Sequence, residues 1–125
     1  MQQPHRDIKE RPLPHCIIEY ARPLEARLNP TELINAVYHG ACDSGLFEGP
    51  DIKTRAIAYE AYLTGADATA FIHVTARILS GRSIEKKQRL SSTVAKRLAD
   101  LGLTDISITV EIIDMERESY EKHIA

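Results

Sequence analysis

The sequence predicts an α+β fold in which a β-α-β unit occurs twice and forms one mixed four-stranded sheet with two helices on one face. Short runs rich in β-branched residues alternate with longer segments whose apolar residues recur at helical spacing. The order strand, helix, strand is then repeated within 125 residues, which is the length of one domain. Residues 1–13 are polar and punctuated by proline, so we expect an N-terminal arm followed by one domain over residues 14–125.

The first β-α-β unit begins with an apolar run at residues 16–20, which is typical of a strand. Asn29 is a favourable N-cap and Pro30 fits the first helical position, so a helix is expected to begin there. The helix should end near residues 43–45, where Asp, Ser and Gly follow one another. Residues 54–63 are predicted to form the second strand.

The second unit repeats this order. Residues 71–79 are predicted to form a strand whose buried face carries Ile72, Val74, Ala76 and Ile78. A helix should run from the Ser83 cap to about Leu101 and end at the glycine that follows. Its apolar stripe consists of Ile84, Leu90, Val94, Leu98 and Leu101. Alternation predicts the last strand over residues 106–112, and the charged residues from Asp114 onward are expected to form a short helix or a tail.

The second face of the predicted sheet has no helix assigned to it. It would carry Phe71, Thr75 and Tyr62. Apolar side chains on a large bare face favour packing against another subunit, so we expect an oligomer.

Composition excludes several classes of function. Lys and Arg number 16 against 18 Asp and Glu, so the chain lacks the basic excess of a nucleic-acid binder. No apolar stretch reaches the length of a membrane span.

The two cysteines, Cys16 and Cys42, match neither a disulfide framework nor a zinc pattern, which favours reduced thiols in the cytoplasm. Cys16 is expected to be a buried strand residue. The histidines are scattered without ligand spacing, so no metal site is expected.

Two positions could bind an anion. Arg82 lies between Gly81 and Ser83 at a junction of strand and helix, where free backbone amides and a guanidinium could hold a carboxylate. The simpler alternative is an exposed arginine in a tight turn. Lys53 and Arg55 begin the second strand, and charges that protect a sheet edge explain them equally well.

Three motifs together resemble one enzyme family. The segments PHCIIEY (14–20), FIHV (71–74) and ILSGRS (78–83) are similar to those of 5-carboxymethyl-2-hydroxymuconate Δ-isomerase, in the tautomerase superfamily. The resemblance spans residues 14 to about 114. It implies a trimer of doubled β-α-β chains and a cytoplasmic isomerase without a cofactor. The implied reaction shifts a double bond in a small unsaturated acid with several carboxylates, in the homoprotocatechuate branch of aromatic catabolism.

The resemblance also implies roles for individual residues. In that family the mature chain begins with a proline whose ring nitrogen is the general base, and Pro14 matches it. Arg82 matches one cation that holds a substrate carboxylate. Either Arg55 or Lys53 matches the second cation, and Arg55 is preferred because its planar fork suits a carboxylate.

The sequence departs from the family pattern before Pro14. Thirteen residues precede it, so its nitrogen is an amide of Leu13 and cannot accept a proton. Either Leu13 marks the natural start of the chain, or the arm is removed in the cell, or the arm is retained and the proline chemistry is lost. The last case would leave a non-catalytic trimeric protein that binds an organic acid.

Overall fold

The computed structural model of the chain describes residues 13–65 and 68–125. Its strands are β1 (His15–Ala21), β2 (Lys53–Tyr59), β3 (Ala70–Leu79) and β4 (Ile106–Met115), and its helices are α1 (Pro30–Asp43) and α2 (Ile84–Ala99). Short 3₁₀ turns follow β1 at Arg22–Ala26 and precede β2 at Gly49–Asp51. The predicted arm over residues 1–13 lies outside the described residues except for Leu13, which is buried.

The strands form one sheet in the order β2-β1-β3-β4. β1 and β2 are parallel, β3 and β4 are parallel, and the two central strands β1 and β3 are antiparallel. Each parallel pair is joined by a helix, so each is a β-α-β unit. The predicted doubled unit and mixed four-stranded sheet are therefore confirmed.

The helices begin at the residues that the capping signals predict. The Asn29 side chain accepts a hydrogen bond from the backbone amide of Thr31 at 2.9 Å, and the Ser83 side chain accepts one from that of Lys86 at 3.3 Å. These bonds satisfy amides that have no partner within the first turn of a helix. Gly102, just after α2, has φ of 74°, a conformation that glycine adopts without a steric cost.

Both helices pack on one face of the sheet and enclose the core. The fully buried side chains there include Ile18, Ile72 and Val74 from the sheet and Leu33, Val37, Leu90, Val94 and Leu98 from the helices. The helices meet closely at Gly40, where an added Cβ would lie 2.7 Å from the Cα of Val94. The predicted two helices on one face are confirmed.

Two strand ends differ from the predictions. β2 ends at Tyr59 and not at Leu63, because β1 turns away after Ala21 and offers no further pairing partner. β4 continues through Asp114 to Met115, because β3 supplies partners as far as Leu79. Strand length is thus set by the neighbouring strand more than by local propensity.

One prediction at the helices needs correction, and of the two forms expected for the C-terminal residues the tail is observed. Ile84 is 67% exposed and does not belong to the buried stripe, because it is the first residue of α2, where the helix begins. The residues after Met115 form a tail with one turn and no helix.

Among residues 13–65 and 68–125, neither helix has the length and apolar character of a membrane span.

The sheet face opposite the helices, here called the open face, is not covered by any described helix. Its outward side chains include Arg55, Ile57, Tyr59, His15, Ile17, Glu19, Phe71, His73, Thr75, Arg77, Thr109, Glu111 and Ile113. Phe71 packs against the ring of Tyr62 with 5.3 Å between centroids, and Ile57 remains 48% exposed. The expected bare face is therefore present.

Candidate active site

The predicted site residues lie at one end of the sheet, here called the proline end. β1 and β2 are parallel and both begin there, after Pro14 and at Lys53. β3 runs in the opposite direction and ends there at Leu79, three residues before Arg82. The antiparallel pairing of the two units thus gathers segments that are far apart in the sequence.

Pro14 is fully buried at the start of β1. Its carbonyl oxygen accepts a hydrogen bond from the backbone amide of Lys53 at 3.1 Å, which fixes it against the first residue of β2. By the alternation of β1, Pro14 is in phase with Cys16 and Ile18 and lies on the helix side of the sheet. Its nitrogen is bonded to Leu13, whose side chain is 1% exposed.

Arg82 is half-buried and held against the segment that follows α1. Its Nη2 donates to the carbonyl oxygen of Leu46 at 3.2 Å, and its Cζ lies 5.3 Å from the centre of the Phe47 ring. The contact with the aromatic face and the hydrogen bond to Leu46 together hold the guanidinium in place. Arg82 is therefore not a fully exposed turn residue.

Lys53 and Arg55 lie on the open face, on the other side of the sheet from the ring of Pro14. Both are exposed. The Nη1 of Arg55 donates to Nδ1 of His15 at 3.3 Å, so its guanidinium reaches the residue next to Pro14. The structure therefore places Arg82 on the helix side and Arg55 and Lys53 on the open side of the same end of the sheet.

Four cations act on His15 at the proline end. Partial burial lowers the pKa of His15, and the charges of Arg55, Lys53, Arg77 and Lys122 lower it further. Burial also raises the pKa of the Cys16 thiol to about 11, against a small opposing effect of Arg55. A neutral histidine among four cations indicates a region that favours anions and disfavours additional positive charge.

A groove of about 360 Å³ lies elsewhere, between α1 and α2, and is lined by Glu32, His39, Arg97 and Asp100 among others. The α1 residues that line the groove extend from Glu32 to His39, and the others come from the end of α2, whereas Arg82 at the proline end precedes α2 and contacts Leu46 after the end of α1. The groove therefore does not belong to the candidate site. Within residues 13–65 and 68–125, no group of three His, Cys, Asp or Glu side chains is placed to hold a metal ion.

Comparison with known families decides the relationship. The model of the 5-carboxymethyl-2-hydroxymuconate isomerase family matches residues 14–123. The chain belongs to this family. The predicted relationship to isomerases of the tautomerase superfamily is thereby confirmed, and the matched range begins at Pro14.

Solved structures agree with the isomerase family in fold. A 5-carboxymethyl-2-hydroxymuconate delta-isomerase superimposes with a TM-score of 0.72 at 18% identity, over 90% of this chain and 89% of that chain. A 5-carboxymethyl-2-hydroxymuconate isomerase from Deinococcus radiodurans R1 gives 0.70 at 24% identity, over 94% and 93%. A fused 4-OT described as a symmetric trimer gives 0.59 at 17% identity, over 80% and 85%. No protein of curated function matches the chain.

The structure of this isomerase-family chain adds residues that sequence reasoning missed. The C-terminal tail returns to the proline end, where the Nη2 of Arg117 donates to the carbonyl oxygen of Ser80 at 3.0 Å. The hydroxyl of Tyr120 lies 3.0 Å from Nε2 of His15. Neither contact has a signal in the sequence, because the tail shows no periodicity and its partners are 37 and 105 residues away.

Proposed function

We propose that this chain is a 5-carboxymethyl-2-hydroxymuconate Δ-isomerase-like tautomerase that shifts a double bond in a small unsaturated polycarboxylic acid by proton transfer. The observation that carries the proposal is that the family match begins at Pro14, the residue that lies at the cationic end of the sheet. The proposed setting is the homoprotocatechuate branch of aromatic catabolism in the cytoplasm.

Pro14 is the proposed general base once its nitrogen is a free secondary amine. While Leu13 is attached, the nitrogen lone pair is delocalised into the preceding carbonyl and does not bind a proton. Removal of residues 1–13, or a start at the proline, would make it basic. The cations that act on His15, the next residue in the chain, would also disfavour the ammonium form of Pro14, so we expect the free amine to be neutral near the working pH, where proton transfer is most effective.

In the proposed reaction the proline nitrogen takes the proton of the 2-hydroxyl group. The electron pair moves through the two conjugated double bonds, and the proton is returned to C5, so the atoms of substrate and product balance. Arg82 and Arg55, with Lys53 as the alternative to Arg55, hold the carboxylates and stabilise the negative charge of the dienolate. Arg82 supports this role because its guanidinium lies over the Phe47 ring and donates to the carbonyl oxygen of Leu46, which hold the side chain in place.

We also propose that the chain assembles as a homotrimer. Two fused 4-OT structures of the same fold are described as symmetric trimers. The open face of this chain exposes Ile57 and Ile113 by 48% and 37%, which makes it a suitable surface for packing against other copies.

The test compares two chains that differ by one residue. A chain that begins at Pro14 should isomerise 5-carboxymethyl-2-hydroxymuconate, measured as the loss of its conjugated absorbance. A chain that begins at Leu13 should be folded but inactive, because its proline nitrogen remains an amide. Circular dichroism checks that both are folded.

An inert, folded chain beginning at Pro14 would refute the catalytic proposal. If that chain still bound the acid, and Arg82→Ala abolished the binding, the protein would be an organic-acid-binding member of the family. Intact-mass measurement of protein from the native host would show whether its chain begins at Met1 or at Pro14.

A further inference from the structure

A chain of hydrogen bonds crosses the proline end through His15. The Nη1 of Arg55 lies 3.3 Å from Nδ1 of His15, and the hydroxyl of Tyr120 lies 3.0 Å from its Nε2. The rings of His15 and Tyr120 also meet edge to face, with 6.2 Å between their centres. The imidazole is therefore held from both sides, by β2 and by the C-terminal tail.

The chemistry of the partners fixes the tautomer of His15. A guanidinium has donors and no acceptor, so Nδ1 must accept the hydrogen bond from Arg55. In a neutral imidazole the proton is then on Nε2, which donates to the Tyr120 oxygen. A protonated ring would present an N–H to Arg55 and lose that bond.

The surroundings of His15 keep the ring neutral. Partial burial lowers its pKa most, and the charges of Arg55 and Lys53 from β2, Arg77 from β3 and Lys122 from the tail lower the pKa further. The acceptor that Arg55 needs is therefore present at neutral pH. Arg55 itself is exposed, so its long side chain has rotamer freedom that the hydrogen bond to His15 restricts.

We infer that His15 is a positioning residue, whose Nδ1, oriented by Tyr120, fixes the guanidinium of Arg55 for a substrate carboxylate. The inference rests on the proposed function, because that proposal assigns Arg55 to carboxylate binding. It explains why the tail returns to the start of β1, since Tyr120 sets the direction in which the imidazole presents its acceptor. His15 itself transfers no proton.

Two substitutions at position 15 separate this role from simple packing. In His15→Asn the side-chain oxygen can occupy the place of Nδ1 and still accept from Arg55. In His15→Gln the amide reaches the place of Nε2, so the contact with Tyr120 remains and the acceptor for Arg55 is lost. Both variants are neutral and polar. If His15 only filled space, ligand binding would not be weaker in His15→Gln than in His15→Asn.

The experiment measures binding of trans,trans-muconate to the full chain at pH 7.5 by calorimetry. Muconate carries two carboxylates on a diene and has no hydroxyl to tautomerise. His15→Gln should weaken binding about fivefold, the effect of losing one hydrogen bond, whereas His15→Asn should stay within about twofold of the natural protein. Equal effects of the two variants would overturn the inference.

Nitrogen NMR of the full natural chain supplies a test that needs no variant. The neutral ring of His15 should be protonated at Nε2, and Tyr120→Phe should weaken that preference. A neutral ring protonated at Nδ1 would overturn the inference while leaving the proposed function intact. If NMR shows the Nε2 proton but muconate binds neither the full chain nor the chain that begins at Pro14, the role of Arg55 in the proposed function fails, and the positioning role fails with it.

Discussion

Replacing Gly40 by alanine has two opposing effects on the free energy of unfolding. Alanine favours a helix interior over glycine by about 1 kcal/mol. Its Cβ, however, would lie 2.7 Å from the Cα of Val94 and 3.0 Å from the carbonyl oxygen of Thr93. Ordinary carbon contacts are about 3.5–4.0 Å, so α1 and α2 would have to separate by nearly 1 Å.

Both crowded atoms belong to the backbone, so rotation of a side chain cannot relieve the overlap. Overpacking of a core costs about 1–3 kcal/mol, and a backbone clash places Gly40→Ala near the upper end of this range. After the gain in helix propensity, we expect a net loss of about 1–2 kcal/mol in the free energy of unfolding. For a domain of this size the midpoint of thermal unfolding should fall by roughly 4–8 °C.

Urea unfolding followed by circular dichroism measures the change. All proteins are compared at one concentration, because association of subunits would add to the apparent stability. Asn35→Ala is the matched control, since this exposed position of α1 gains about 0.5 kcal/mol of helix propensity without an overlap. If Gly40→Ala unfolds at the same urea concentration as the natural protein or higher, the reasoning from the close approach is wrong.

Three other predictions follow from single groups. Because burial raises the pKa of Cys16 to about 11, only about one molecule in a thousand carries its thiolate at pH 8, and iodoacetamide should label Cys42 and leave Cys16 unmodified in mass spectrometry of tryptic peptides. Hydrogen bonds from Arg97 lower the pKa of Asp43, so Arg97→Gln should reduce the free energy of unfolding at pH 7, and the difference should vanish as pH falls below the folded-state pKa of Asp43. Removing the helix cap with Ser83→Ala should cost about 1 kcal/mol in urea unfolding, whereas Ser83→Asp should preserve most of it.

The fold could be predicted because its signals are local. Alternation fixes which side of a strand is buried, and the caps at Asn29 and Ser83 fix where the helices begin. The end of β2 could not be predicted from its own residues. β2 ends at Tyr59 because β1 turns away at Arg22 and supplies no pairing partner beyond that point. That turn is a property of the neighbouring strand, which a one-dimensional pattern does not contain.

The candidate site likewise has one part that the sequence predicts and one part that it does not. Once two β-α-β units are paired, Pro14, Lys53 and Arg82 must lie at the same end of the sheet, so their gathering follows from topology. The contact between His15 and Tyr120 joins residues 105 positions apart through a tail that has no regular structure. Nothing in the composition of the tail identifies Tyr120 as a partner of β1.

The cations at the proline end would repel one another less with an anion bound than without one. Arg55, Lys53, Arg77 and Lys122 act together on one histidine, and like charges in proximity raise the free energy of the folded chain. A neutral His15 adds no further charge to this cluster and gives one guanidinium a partner. A dicarboxylate bound at the proposed site would neutralise part of the remaining charge, so the same cations would strengthen its binding. Repulsion of this kind is what we expect at the proposed carboxylate site when no ligand is bound.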